Sequence, residues 1–185
     1  MCNIICKNIF VVFTERTRDM GFQIRAAVPE DAAKCADIHM RSWVFAYSDC
    51  VPMDVIEKSN ARRPAMWTRL LETSKDIHYV AVSDNVIVGF VTINPTRDSD
   101  LPEAVYELSS LYLDPDYVGK GFGRLMMDWV KGEIASRGYQ TISVWVLDRN
   151  YRAKAFYEKC GFKPDGACKE SGLGDTLEER YICAL

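Results

Sequence analysis

One stretch limits what this chain can fold into. An apolar, strand-like run through Leu111, Tyr112 and Leu113 meets the turn-forming Asp114, Pro115 and Asp116. It then enters Val118, Gly119, Lys120, Gly121, Phe122, Gly123 and Arg124, after which an amphipathic helical pattern begins. Strand, glycine-rich turn and helix in immediate succession create a site with definite physics. The first turn of a helix carries unpaired N–H groups and the positive end of the helix dipole. Glycines remove the side chains that would hold an anion away from those groups. Lys120 and Arg124 add positive charge. The spacing is GxGxG and lies late in the chain, so it matches neither a GxxxxGK[ST] phosphate loop nor a GxGxxG dinucleotide fingerprint after a first strand. By itself the run serves equally well as a tight turn with no ligand.

The surrounding pattern alternates between strand and helix periodicities. Residues 22–26 alternate like a strand, and Pro29, Glu30 and Asp31 open a helix carrying Ala32, Ala33, Ala36, Ile38 and Met40 towards Trp43. A second helical stretch covers 53–71, with Pro64 breaking or restarting it. Runs 79–82 and 86–93, joined by Ser83, Asp84 and Asn85, predict a hairpin. Further strands are predicted over 105–113, 141–147 and 180–183. Helices are predicted over 121–137, stopped by Gly138, and over 152–160, closed by Gly161. The order is strand, two helices, three strands, helix, strand, helix, then one or two strands, which is a mixed α/β sheet of one domain. With 185 residues and no Pro/Gly/Ser-rich linker, one domain over 20–185 is expected. Residues 1–19 are set apart as an extension. Their apolar run, 1–13, is interrupted by Lys7 and Asn8, is too short for a bilayer span, and lacks the parts of a signal peptide. Either translation begins at Met20 or the extension adds a strand.

Composition excludes several function classes. The net charge is −3, which is not the basic footprint of a nucleic-acid binder. The seven cysteines form no close CxxC pairs and only His39 and His78 accompany them, so no metal cage is expected. Free thiols, read as small buried hydrophobes, suit a reducing cytoplasm. No membrane partner is expected, although anchoring through 1–13 remains a formal alternative.

A second segment turns the glycine run into a family resemblance. Asn150 through Phe162 resembles the GNAT acetyltransferase pattern Asn-x-x-Ala-x-x-Phe-Tyr-x-x-x-Gly-Phe at every fixed position: Asn150, Ala153, Phe156, Tyr157, Gly161 and Phe162. The glycine run is similar to the family's Gln/Arg-x-x-Gly-x-Gly/Ala phosphate motif. Gly121 and Gly123 fill the glycine positions, and Val118 departs from the Gln/Arg position. The resemblance covers roughly 22–183. It implies a mostly antiparallel sheet with flanking helices and a splayed parallel pair formed by strands 105–113 and 141–147. It also implies acetyl-coenzyme A as cosubstrate, its diphosphate on the amides of 118–124 and its pantetheine arm against the backbone of Leu111 and Leu113. Tyr112 is then expected to point to the opposite face.

Four roles follow from that resemblance. Tyr157 is the candidate general acid, since a phenol with a reference pKa near 10 stays protonated at neutral pH and can serve a departing thiolate. Asn150 caps the following helix, bonds the cosubstrate, or does both. Glu107 is the candidate general base, in an otherwise apolar strand. Alternation places Glu107, Ser109 and Leu111 on one face. The competing readings are a core tyrosine for Tyr157 and an ion-paired carboxylate for Glu107. Trp43, Tyr47, Trp67 and His78 either shape the acceptor pocket or pack; His78, at a strand start, is expected at the surface. The expected activity is N-acetylation of a primary amine on a small molecule or protein. The alternative is a noncatalytic acyl-CoA sensor or interaction domain, and exposed edge strands allow a homodimer.

Overall fold

The computed structural model describes residues 21–185. The expected extension over 1–19 therefore lies outside the described residues. A seven-stranded sheet organises the chain in the order β1-β2-β3-β4-β5-β7-β6. After β1 (Gln23–Ala26), a short 3-10 turn leads into α1 (Ala32–Tyr47). Then come α2 (Met53–Asn60) and α3 (Arg63–Thr73), split where Pro64 takes the second position of α3, a place where its missing N–H costs nothing. The hairpin of β2 (Ile77–Ser83) and β3 (Val86–Pro95) turns on Asp84 and Asn85 with φ of 49° and 64°. Left-handed turns of this kind match the twist of the flanking strands, and Asp and Asn tolerate them. Next are β4 (Val105–Leu113), α4 (Phe122–Ser136), β5 (Thr141–Leu147) and α5 (Tyr151–Lys159). The chain ends in two strands, β6 (Lys163–Glu170) and β7 (Leu177–Ala184).

All pairings are antiparallel except β4 with β5. Each face of the sheet buries its own core. On one side α4 contributes Phe122, Met126, Met127, Val130 and Ile134, a helical stripe that meets Val91, Ile93, Leu108, Ile142, Val144 and Tyr157. On the other, Cys35, Ala36 and Ile38 of α1 and Trp67 of α3 cover Val80, Val82 and Phe90.

Two irregularities create the space for a site. The parallel pairing of β4 and β5 runs only from Val105↔Thr141 to Glu107↔Ser143, and the strands then separate. In the same place β4 slips against β3, because Leu108 pairs with Ile93 and Ser110 with Thr92, leaving Ser109 as an extra residue. Such a bulge bends a strand and reverses its side-chain alternation. Tyr106 and Leu108 before the bulge face the α4 core, and so do Leu111 and Leu113 after it. The expectation that Glu107, Ser109 and Leu111 share one face is therefore corrected: Glu107 and Leu111 lie on opposite faces. Tyr112 points away from Leu111 and Leu113, as expected, and packs on the α1 side.

Three smaller expectations also change. His78 is half-buried, not superficial: its Nδ1 lies 3.0 Å from Thr92 Oγ1 and its ring 5.7 Å from Trp67. The cause is α3, which covers this end of β2. Trp67 is core, 2% exposed. Cys35, Cys160 and Cys183 are buried free thiols as expected, but Cys168 is exposed on β6, because that strand is the uncovered edge of the sheet.

Candidate acyl-coenzyme A cleft and active site

The separation of β4 and β5 opens a cleft of about 410 Å³. Its walls come from Ser109 to Leu113 of β4 and Val144 to Leu147 of β5. The glycine turn lies at one end, with Asn150 and Tyr157 of α5 and Tyr47 of α1 around the rest. The wall formed by α1 is fixed to the end of β4 by buried polar contacts. Asp114, 2% exposed, receives Arg41 Nη1 at 2.8 Å on both oxygens and Lys34 Nζ at 3.4 Å. Ser42 Oγ donates to the Leu113 carbonyl at 2.9 Å.

The glycine turn has the properties of an anion cradle. Gly119 and Gly121 have φ of 81° and 93°, in the left-handed region, and a Cβ on either would meet no described atom within 4 Å. Conformation and an open cleft, not tight packing, thus call for glycine here. The N–H groups of residues 119–123 donate to no described residue. Val118 N–H is engaged by the Pro115 carbonyl and Arg124 N–H by the Gly121 carbonyl, at 3.2 and 3.1 Å. The expected set of free amides, 118–124, therefore narrows to 119–123. The reason is geometric: a 3-10 turn precedes the glycines and the helix starts immediately after them.

The side chains of this segment divide. Val118 and Arg124 line the cleft, although Arg124 is also held by Asp128 at 2.8 Å. Lys120 is exposed, its Nζ 5.3 Å from the Tyr117 ring, and does not line the cleft. Phe122 turns inward against Phe22, with ring centroids 5.7 Å apart. Only the backbone of those two residues is offered to a ligand.

Tyr157 is 8% exposed and lines the cleft. Its ring packs at 5.4 and 5.5 Å from Phe156 and Phe162, and its hydroxyl makes no hydrogen bond with a described residue. Burial first, then the neighbouring Tyr112 and Cys160, pushes that hydroxyl well above the usual tyrosine range. Asn150 lines the cleft and caps α5, its Oδ1 accepting from Ala153 N–H at 3.1 Å. Of its two expected roles, capping is the one made by a contact.

Glu107 lies at the last pair before the strands separate. It is 7% exposed, and its Oε1 accepts from Ser109 Oγ at 2.6 Å while Oε2 accepts from Arg97 N–H at 3.4 Å. The Arg97 guanidinium stands 3.8 Å away. Ser109 also bonds buried Asn94. Glu107 does not itself line the cleft; Ser109, on the bulge, connects the two. Tyr112 OH receives Trp43 Nε1 at 3.0 Å and meets Tyr47 OH at 3.2 Å, so its side chain is held on the α1 side and only its backbone faces the β5 wall.

Sequence reasoning missed Phe45 and Arg152, which line the cleft from opposite sides with the guanidinium 4.4 Å over the ring. Phe45 continues the row of Ile38 and Ser42 along α1 yet is 44% exposed, so the helical period gave no signal that sets it apart. Arg152 occupies a variable position of the Asn150–Phe162 pattern and carried no signal. Among the described residues, no group of three acidic, histidine or cysteine side chains is placed to hold a metal, and no helix is long and apolar enough to cross a membrane.

Comparison with known proteins places this geometry. The family model "Acetyltransferase (GNAT) family" matches residues 33–162. An uncharacterized N-acetyltransferase of Mycobacterium tuberculosis is 35% identical over 99 residues, covering 54% of this chain and 60% of the relative. The chain thus spans 60% of the length of that relative. The spermidine N(1)-acetyltransferase of Thermoplasma acidophilum is 24% identical over 88% of this chain and 99% of its own. The crystal structure of the PaiA N-acetyltransferase of Thermoplasma acidophilum in complex with coenzyme A has the same fold. Its TM-score is 0.71 at 20% identity, over 90% of this chain and 100% of that one. The splayed strand pair, the glycine turn facing its cleft and the matched residues agree: this chain belongs to the GNAT acetyltransferase family.

Proposed function

We propose that the protein transfers the acetyl group of acetyl-coenzyme A to a primary amine of a small molecule or protein. One observation carries the reading. A single cleft joins a helix N-terminus with five free amides, the open edges of two separated strands, and a tyrosine on its wall whose hydroxyl has no partner among the described residues. That sequence of features suits a diphosphate, an extended amide-bearing arm and a thioester, in that order. Relatives with named acceptors, spermidine N(1)-acetyltransferase and L-ornithine N5-acetyltransferase NATA1 of Arabidopsis thaliana, use aliphatic amines.

The amides of 119–123 hold the diphosphate, with the α4 dipole behind them. The backbone of Leu111 and Leu113 pairs with the amides of the arm, and N–H groups beside the bulge polarise the thioester carbonyl. Acetyl-coenzyme A supplies the activated acyl group. Glu107, through Ser109 or a water, takes a proton from the acceptor ammonium so that its lone pair can attack the carbonyl carbon. Tyr157 then gives its proton to the sulfur as the carbon–sulfur bond breaks, the acylated nitrogen loses its second proton to water, and Tyr157 recovers one from solvent after release. The high pKa imposed on Tyr157 by burial keeps that proton in place until the thiolate forms.

The test couples calorimetric titration of acetyl-coenzyme A with a thiol-release assay across primary amines. Binding followed by amine-dependent thiol release is expected. Tight binding with no release from any amine would replace the enzyme by an acyl-coenzyme A sensor, and no binding at all would remove both.

A further inference from the structure

Arg63 is unusual among the charged groups of this protein. It opens α3 with its guanidinium 4.2 Å over the Trp43 ring, and its one hydrogen bond to a described residue is Nη1 to Met66 Sδ at 3.5 Å. Its Nε is buried with no partner, and Nη2 bonds no described residue. Nε–H and Nη2–H form the edge of the fork that a carboxylate engages with two parallel hydrogen bonds. Burial lowers the pKa of Arg63, the neighbouring Tyr112 and Tyr47 hydroxyls oppose that, and no carboxylate among the described residues forms an ion pair with it. A half-buried cation lacking a counter-ion is costly unless an anion arrives with a ligand.

The surroundings point to which ligand. Arg63 stacks on Trp43, Trp43 Nε1 donates to Tyr112 OH, and Tyr112 OH meets Tyr47 OH. Tyr47 lines the cleft beside Ser109 and Tyr157. The other end of this aromatic row is acidic. Tyr47 and Tyr112 both feel the charge of Glu178. Burial raises the Glu178 carboxyl, the nearby Lys169 opposes that, and Glu107 adds to it, so the two carboxylates share one region. Glu178 projects from β7 to the side of the sheet opposite Tyr181 and Cys183, the side covered by α1, where Glu107 also lies. The row thus runs from an unpaired guanidinium to two carboxylates whose charge is partly offset by Lys169, 3.6 Å from Glu178, and Arg97, 3.8 Å from Glu107.

We infer that the acceptor is zwitterionic, an amine that also carries a carboxylate. Arg63 takes the carboxylate through its unpartnered edge, and the amine is drawn towards Glu107 and Glu178 across Trp43, Tyr47 and Tyr112. This rests on the acetyl-transfer reading for its site but names the acceptor class independently of turnover. A diamine offers Arg63 nothing and places a second cation beside it.

Calorimetry on the coenzyme A complex tests it with amino acids paired against their decarboxylation products: ornithine with putrescine, lysine with cadaverine, phenylalanine with phenethylamine. In at least one pair the amino acid should bind tighter by roughly tenfold to a hundredfold, the range of a charge-assisted bond. Arg63→Met should abolish that preference while leaving coenzyme A affinity unchanged, and Arg63→Lys should retain part of it. Equal or tighter binding of the amines, a preference that survives Arg63→Met, or no binding by any amino acid would overturn the inference. If amino acids bind through Arg63 but no amine releases thiol, acetyl transfer fails and the zwitterion site stands.

Discussion

Replacing Tyr157 by phenylalanine separates chemistry from packing. The aromatic ring stays, so its contacts with Phe156 and Phe162 at 5.4 and 5.5 Å persist. The hydroxyl removed faces the cleft and makes no hydrogen bond to a described residue, so folding loses none. The expected stability change is within about 1 kcal/mol, because the hydroxyl faces the cleft and leaves no buried polar group unpaired when it is removed. Catalysis should respond very differently. Loss of a positioned general acid lowers kcat by roughly 100- to 10,000-fold, about 2.7 to 5.4 kcal/mol at about 1.36 kcal/mol per decade. The assay is thiol release at saturating acetyl-coenzyme A, with thermal unfolding and calorimetric Kd measured on the same preparation. Because burial raises the Tyr157 pKa, the wild-type rate should show no loss from this group below about pH 10, the ordinary tyrosine value. A Tyr157→Phe enzyme within about threefold of wild-type kcat would refute the acid role. A collapse of stability alongside kcat would instead assign the residue to packing.

Three other perturbations address separate parts of the molecule. Gly121→Ala should weaken acetyl-coenzyme A binding at least tenfold; Gly138→Ala, with a comparable φ of 89° but outside the cleft, should cost similar backbone strain and leave affinity unchanged. Equal affinity losses in both would reduce the cradle to a strained turn. Glu107→Gln should lower kcat with acetyl-coenzyme A affinity retained; an unchanged kcat returns Glu107 to a structural ion pair with Arg97. His39 accepts from Trp67 Nε1 at 3.2 Å, and burial, with Arg63 nearby, lowers its pKa to about 3. Its folded pKa lies below the unfolded value, so its contribution is complete above about pH 6.5 and is lost as pH falls from there towards about 3. By pH 5 the loss should reach about 2 kcal/mol, read as the difference in unfolding free energy between wild type and His39→Gln. Parallel pH dependences in the two proteins would rule it out.

Much of this architecture was legible because its signals are local. The hairpin declares itself through Asp84 and Asn85, the helix start through Gly121, and the α4 stripe through a period that only a helix satisfies. Tyr157 and Asn150 were singled out by the resemblance of their segment to a family pattern, and both line the cleft because that segment forms one continuous helix with its cap. What escaped depends on partners far along the chain. The bulge at Ser109 is a relation between β4 and β3, and a run that reads as regular alternation gives no notice of it. The exposure of Phe45 matters only because α5 brings Arg152 opposite. Arg63 drew no notice for the same reason: its missing partner is visible only once α3 is folded against α1.

The separation of β4 from β5 has a consequence for the energetics of the unliganded protein. Past Glu107 and Ser143 the sheet keeps an open seam in its middle, where strand edges that would normally bond each other face a gap. Main-chain groups along such a seam must find solvent or another chain. An extended molecule entering there acts as a zipper tooth, joining the β1–β4 half to the β5–β7 half. Saturation with coenzyme A should therefore slow amide exchange on both banks, at 109–113 and 144–147, and raise the unfolding temperature in proportion to the logarithm of its concentration.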